Sequence, residues 1–318
     1  GLSEGDASLL LELRAQGHLP LPNLLPSDVE AAAMTHQRSV RPMVWRLLGV
    51  PGAVHISDDA VAGDWLKWGF KYAIEATAVE WARVAGSLRG GGHLKSAAQA
   101  LEESFERGES SEAWSQRGVL YEHMEGDTVR AEAAFRRSIE LAPTDARPWN
   151  NLGILLTSLP DREKEAEEAL RKAIRLDDSN AKAWNSLGSL LANDPGRLEK
   201  AEDAFLRAVE LDPNLHGAWN NLGILLADGL SRPEEAATAF RRAIELDRTD
   251  DMPWGNLGFL YEDSDRLDDA IAAFDCALAL CDPKDPNRKH WQMARNRTAT
   301  AKLARSVLGG LRSGDETA

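Results

Sequence analysis

The 318-residue sequence is poor in the residues that usually mark a chemical centre or a membrane segment. It has two cysteines, three tyrosines and seven histidines. Cys276 and Cys281 stand five residues apart, which on a helix separates them by about 140°, too divergent for an unstrained bridge. Two free thiols are therefore expected. No second ligand pair accompanies them, the histidines are scattered and no HExxH occurs, so neither a metal nor another cofactor is expected. No apolar run approaches the roughly 18 residues of a membrane span, and the stretch from Gly1 to Asp6 lacks a signal peptide's basic start. A cytoplasmic protein with no membrane partner is the expectation. Basic residues are outnumbered 51 to 37, giving a formal charge of -14, and that field opposes any polyanion. Nucleic acid is not an expected partner. What remains is 43% hydrophobic and 28% charged, the balance of a chain able to bury a continuous core.

Its organisation is periodic. Trp114, Trp149, Trp184, Trp219 and Trp254 recur every 35 residues, each followed four positions later by Gly118, Gly153, Gly188, Gly223 or Gly258. Ala131, Ala166, Ala201, Ala236 and Ala270 each precede a large residue by four: Phe135, Leu170, Phe205, Phe240 and Phe274. Trp149, Leu152, Gly153 and Leu156 have the three, four and seven spacing of one apolar helical face. A second helix is predicted from about Lys164 to Leu176, with Glu167–Arg171 and Glu168–Lys172 as solvent-side pairs. Pro160, Pro195 and Pro233 fall between the paired helices, where a missing amide hydrogen costs nothing. Each unit is a helical hairpin.

The recurring Trp, Leu-Gly, Leu or Tyr, then Ala, Phe, Ala and often Pro resembles the tetratricopeptide repeat family, most fully in 219-WNNLGILL-226 through 236-AATAFRRAIELD-247. The resemblance implies an all-α, right-handed superhelical solenoid of stacked hairpins. The period exceeds the family's 34 by one, and the extra residue is placed in the intra-hairpin turn. In this family the glycine faces the small Ala that opens the second helix, as Gly153 and Ala166 would do. Trp149 is expected in the core, so that its removal would cost about 3–5 kcal/mol.

The array is read as residues 78–284, with a degenerate unit at 78–110 followed by 111–145, 146–180, 181–215, 216–250 and 251–284. In the degenerate unit Trp81, Leu88, Ala97 and Leu101 fit the template, but Val84 and Ala85 replace Leu-Gly. Residues 1–77 are read as a non-repeat helical cap with helix starts at Ser3 to Asp6 and Ser27 to Glu30, in which Trp45, Trp65 and Trp68 are core aromatics. A helix from Asn287 to Leu308 should cap the other end, since a terminal hairpin would otherwise expose its stacking surface, with a loose tail from Gly309. The run 89-RGGGHLKS-96 is not a phosphate loop, because Leu94 occupies the position of the glycine before Lys and no strand precedes it. Asn296-Arg297-Thr298 is read as an accidental glycosylation match.

Function is expected on the side of each first helix that the family uses as a concave groove. There stand Asn150, Asn185 and Asn220, one after their Trp, and Asn151, Asn221 and Asn256, two after. Ser115 and Gly255 occupy the first of these positions, and Gln116 and Ser186 the second, in the other units. A carboxamide donates and accepts as a peptide group does, so such a row can hold an extended backbone. The row is similar to the asparagine ladder of O-linked N-acetylglucosamine transferase, over the repeats alone. The alternative to this groove reading is that these amides are simply solvated or tie neighbouring hairpins together. Ile154, Ile224 and Phe259 would supply apolar floor contacts beside Ser189. Arg147 and Lys182 against Asp228, Glu262 and Asp263 would polarise the groove. Members of the family that clamp acidic tails carry Lys or Arg where Asn150 and Asn185 stand, which argues against that specificity.

The first reading is a non-enzymatic scaffold that binds a protein or peptide segment. A second is the docking or regulatory region of a larger transferase or protease. Self-association through the array ends is a third.

Overall fold

The computed structural model describes residues 59–72, 76–283 and 285–315, and these form helices joined by short turns, with no strand among the described residues. The chain divides into two compact units after Ser158. The helix starts expected near Ser3 and Ser27, and Trp45, lie outside the described residues.

The first unit holds α1 (Asp59–Tyr72), α2 (Ala78–Gly90), α3 (Leu94–Glu106), α4 (Ser111–Glu125), α5 (Thr128–Leu141) and α6 (Ala146–Thr157). Thr77 and Glu80 form a reciprocal capping box at the start of α2, and Ser110 accepts from the Ala113 amide at the start of α4. These bonds satisfy amides that no helical carbonyl reaches. The glycine-rich run is the turn between α2 and α3, with Gly92 at φ 84, a conformation that favours glycine. Helices α2 with α3 and α4 with α5 pack as hairpins. Trp65 and Trp81 are fully buried, and Phe70 stacks on Trp81.

The second unit holds α7 (Glu163–Leu176), α8 (Ala181–Ala192), α9 (Leu198–Leu211), α10 (His216–Ile224), α11 (Pro233–Leu246), α12 (Met252–Asp263), α13 (Leu267–Leu280) and α14 (Pro286–Asp315). Helices α8 with α9, α10 with α11, and α12 with α13 are hairpins, and α14 packs against α13. The extra residue of the 35-residue period is accommodated in two ways. After α8 it falls in a 3₁₀ turn, Pro195–Arg197. After α10 it is absorbed within the helix as a π turn, Leu225–Gly229, where the Leu230 amide reaches back to the Leu225 carbonyl at 3.0 Å.

Contacts across hairpins correct three expectations. The nearest neighbours of the helical glycines are aromatic rings rather than the small Ala. A Cβ built on Gly118, Gly188, Gly223 or Gly258 would meet the ring of Phe135, Phe205, Phe240 or Phe274 at 2.5–2.7 Å. The alanines are buried nonetheless, so close approach is the reason for the glycine and the ring is the surface approached. The periodic indoles from Trp149 to Trp254 are half-buried. Those of Trp149, Trp184 and Trp219 donate from Nε1 to the carbonyls of Pro143, Asp178 and Pro213, each six residues back, at 3.3, 3.0 and 3.0 Å. Their truncation removes less core than that of the fully buried Trp81. Finally, α14 runs through Gly309 to Asp315. Among its described side chains Trp291, Ala294 and Thr298 are buried, whereas Met293 and Leu303 are exposed.

Charged residues stitch the second helices together. Arg197 donates to Glu167 at 2.8 Å and Arg232 to Glu202 at 2.6 Å, each reaching back 30 residues. The Glu167–Arg171 pair forms as expected, at 2.8 Å. Both cysteines are free, and burial, followed by a hydrogen bond to Asp251, pushes the Cys281 thiol up to about 11.

Candidate functional site

The carboxamide row bonds to itself. Asn221 Nδ2 donates to Asn185 Oδ1 at 3.1 Å, with a longer contact to Ser189 Oγ at 3.4 Å, and Asn256 Nδ2 donates to Asn220 Oδ1 at 2.9 Å. In the first unit Asn151 Nδ2 donates to Ser115 Oγ at 3.1 Å. Each bond joins the second position after one Trp to the first position after the preceding Trp, 36 residues earlier. Asn150 and Asn220 are buried, and Asn150 Oδ1 is buried with no hydrogen-bond partner among the described residues. These amides hold neighbouring hairpins in register, and their unused hydrogens and lone pairs are what remains for a ligand.

In the second unit the same helical faces border two adjoining clefts. One, of about 520 Å³, is lined by Ser189, Ala192, Phe205, Asn221, Ile224 and Asp228, among others. The other, of about 510 Å³, is lined by Ile224, Asp228, Asn256, Phe259, Leu260 and Asp263, among others. Ile224 and Asp228 belong to both. The π turn carries Asp228 to this shared wall, and such turns recur at functional sites. Five expected site residues are thus brought together: Ser189, Asn221, Ile224, Asn256 and Phe259. Asn185 and Asn220 lie behind them as acceptors, and Lys182 is exposed on the first turn of α8. Phe259 is half-buried, with its ring 5.1 Å from Phe274 and 5.8 Å from Trp291.

The first unit carries Arg147, Asn150, Asn151 and Ile154. Ile154 is 47% exposed. Arg147 is tied to Glu112 at 2.6 Å and Asp145 at 2.7 Å, bonds that hold its guanidinium above its ordinary range, the Asp145 bond foremost. Glu262 is likewise committed to Arg297 and Thr298, and the Arg297 bond holds its carboxyl below the usual range. Of the expected polar groove, the charges with no ion pair among the described residues are Lys182, Asp228 and Asp263. Sequence reasoning missed the arginine staircase, although Arg162, Arg197 and Arg232 follow the same 35-residue period. It also missed the π turn, whose only sequence trace is the one-residue excess.

No group of three or more metal-ligating side chains occurs among the described residues, and none of their helices is long and apolar enough to cross a membrane. The sequence pattern of the tetratricopeptide repeat family matches residues 85–146, 164–216 and 224–286, more than half the chain. The chain is a tetratricopeptide repeat protein. Among solved structures, it is similar to PilF of Pseudomonas aeruginosa, with 22% identity and TM-score 0.52 over 63% of this chain and 87% of that one. It is also similar to the thermophilic tetratricopeptide repeat protein TTC0263 of Thermus thermophilus, with 22% identity and TM-score 0.51 over 61% of this chain and all of that one. A third likeness is to the APC/C hetero-tetramer Cut9–Hcn1, with 17% identity and TM-score 0.63 over 82% of this chain and 48% of that one. At these identities the likenesses establish the repeat fold. No curated protein sequence matches the chain. Tetratricopeptide repeats are in general protein-interaction modules without catalytic groups of their own.

Proposed function

We propose that this repeat protein is a non-catalytic adaptor that holds an extended segment of a partner protein against the first-helix face of residues 181–263. The observation that carries this reading is the pair of adjoining clefts sharing Ile224 and Asp228. Together they offer an apolar floor with polar edges, the make-up of a peptide groove. Ser189, Asn221, Ile224, Asn256 and Phe259 form its wall. Lys182 extends it at one end, and Asn185 and Asn220 set its spacing from behind. Arg147, Asn150, Asn151 and Ile154 form the corresponding face of the first unit and are proposed as a separate contact surface. The test is a photo-crosslinking amino acid placed at Ile224 and, as a control, at Thr238, an exposed residue of α11 that lines neither cleft. In host extract, partner adducts are expected at Ile224 and not at Thr238. Equal labelling of the two positions, or none at Ile224, overturns the groove reading.

A further inference from the structure

Resting on that groove reading, we infer that the segment it holds carries a lysine or arginine beside an apolar residue, with the cation at Asp228 and Asp263 and the apolar side chain over Ile224 and Phe259.

The argument begins with where charge is already satisfied. On the first-helix face of the first unit, Gln116 accepts from Arg89 and donates to Glu112, and Glu112 is paired with Arg147. On α12, Arg297 neutralises Glu262. Asp228 and Asp263 differ. Both are exposed, both line the 510 Å³ cleft, and neither forms an ion pair among the described residues, Asp263 feeling Arg297 only at longer range. They stand 35 residues apart, at one position of successive units. The units before them carry Asn193 and Ser158 at that position, so the acidity is confined to this end of the groove.

A cation from outside is the complement of this pair. A hard divalent ion would need about six oxygen ligands, and no third carboxylate joins the two in a metal-binding group. An acidic ligand would meet the two carboxylates directly, on a chain of formal charge -14. The apolar floor beside the carboxylates requires a ligand with both characters. A peptide segment supplies them on neighbouring residues, and its cation, once bordered by the cleft wall, is less screened than one on open surface.

The test uses the full chain and three fluorescein-labelled ten-residue peptides: alternating Leu and Arg, alternating Leu and Gln, and alternating Ser and Arg. Binding is read by fluorescence anisotropy at physiological salt. The Leu/Arg peptide is expected to bind tightest. Asp228→Asn and Asp263→Asn should each weaken it about threefold, and the double variant about tenfold, the range for solvent-bordered charge pairs. The double control Glu199→Gln with Asp203→Asn, on α9, removes the same charge outside both clefts and should leave binding unchanged. Circular dichroism confirms that each variant is folded. Equal weakening by the control would mean attraction to net charge alone and overturns the inference, as does unchanged binding by the cleft double variant. If the Leu/Gln peptide binds as tightly as Leu/Arg and crosslinks at Ile224, the cation is not read and only the groove reading survives. If Ile224 crosslinks none of the peptides, both fail.

Discussion

The indole of Trp291 lies flush against Gly255, so that a Cβ on that glycine would run into the ring. Trp291 stands 36 residues after Gly255, the offset that joins Asn221 to Asn185 and Asn256 to Asn220. The last step of the ladder is therefore a ring on a glycine in place of an amide on an amide. Asp251 anchors the ring by accepting from its Nε1 at 3.0 Å. This is how α14 closes the stack, covering apolar surface that another hairpin would otherwise cover.

Exchanging the two chemistries tests that reading. Trp291→Asn should cost about 3–5 kcal/mol as a buried aromatic truncation, and Gly255→Asn about 1–3 kcal/mol by overpacking. The double variant rebuilds an amide pair and should be less unstable than the sum by about 1 kcal/mol or more. Urea unfolding and hydrogen exchange of α14 measure this; strict additivity would sink it.

The glycine and phenylalanine contacts make a second prediction. Gly188→Ala and Gly223→Ala place a methyl 2.7 and 2.6 Å from the rings of Phe205 and Phe240. Each should lower stability by about 1–3 kcal/mol, despite alanine's better helix propensity. At Gly217, where nothing lies within 4 Å, alanine should instead be neutral or stabilising by up to about 1 kcal/mol. Thermal melts of the three variants should diverge in sign.

Removing one amide of the ladder loosens one hairpin step. Asn221→Ala deletes the bond to Asn185 and should cost about 0.5–1.5 kcal/mol. Combined with Asn185→Ala, the losses should fall short of their sum, because both remove one bond. A cycle with no coupling energy would mean that the 3.1 Å contact contributes nothing to register.

The arginine staircase sets an acid limit. The Arg197 hydrogen bond, opposed by burial and aided by Arg171, lowers the Glu167 carboxyl from 4.5 to about 2. With the folded value below the unfolded one, this contribution is complete above about pH 4.5 and is lost as pH falls towards 2. Stability should drop between about pH 5 and pH 2, and by less in Arg197→Ala. Identical slopes for the two proteins would remove Glu167 from the explanation.

The sequence alone determined that the chain is helical, that its unit is a hairpin, and that the recurring Leu, Ala and Phe positions are buried. Those properties follow from spacings of three and four within one helix and from the return of the same residues every 35, and both are local records. Only the tertiary structure decided what each side chain meets. Asn221 was legible as a polar residue on the first-helix face, but its bond to Asn185 depends on how two hairpins are rotated against each other. Gly188 was legible as a site of close approach, whereas the ring of Phe205 as its neighbour was not. The half-burial of the indoles, the π turn that brings Asp228 to a shared wall, and the seat of Trp291 on Gly255 are likewise products of stacking. Packing between helices is a competition among side chains for the same space and the same partners, and the period of a single helix carries no trace of its outcome.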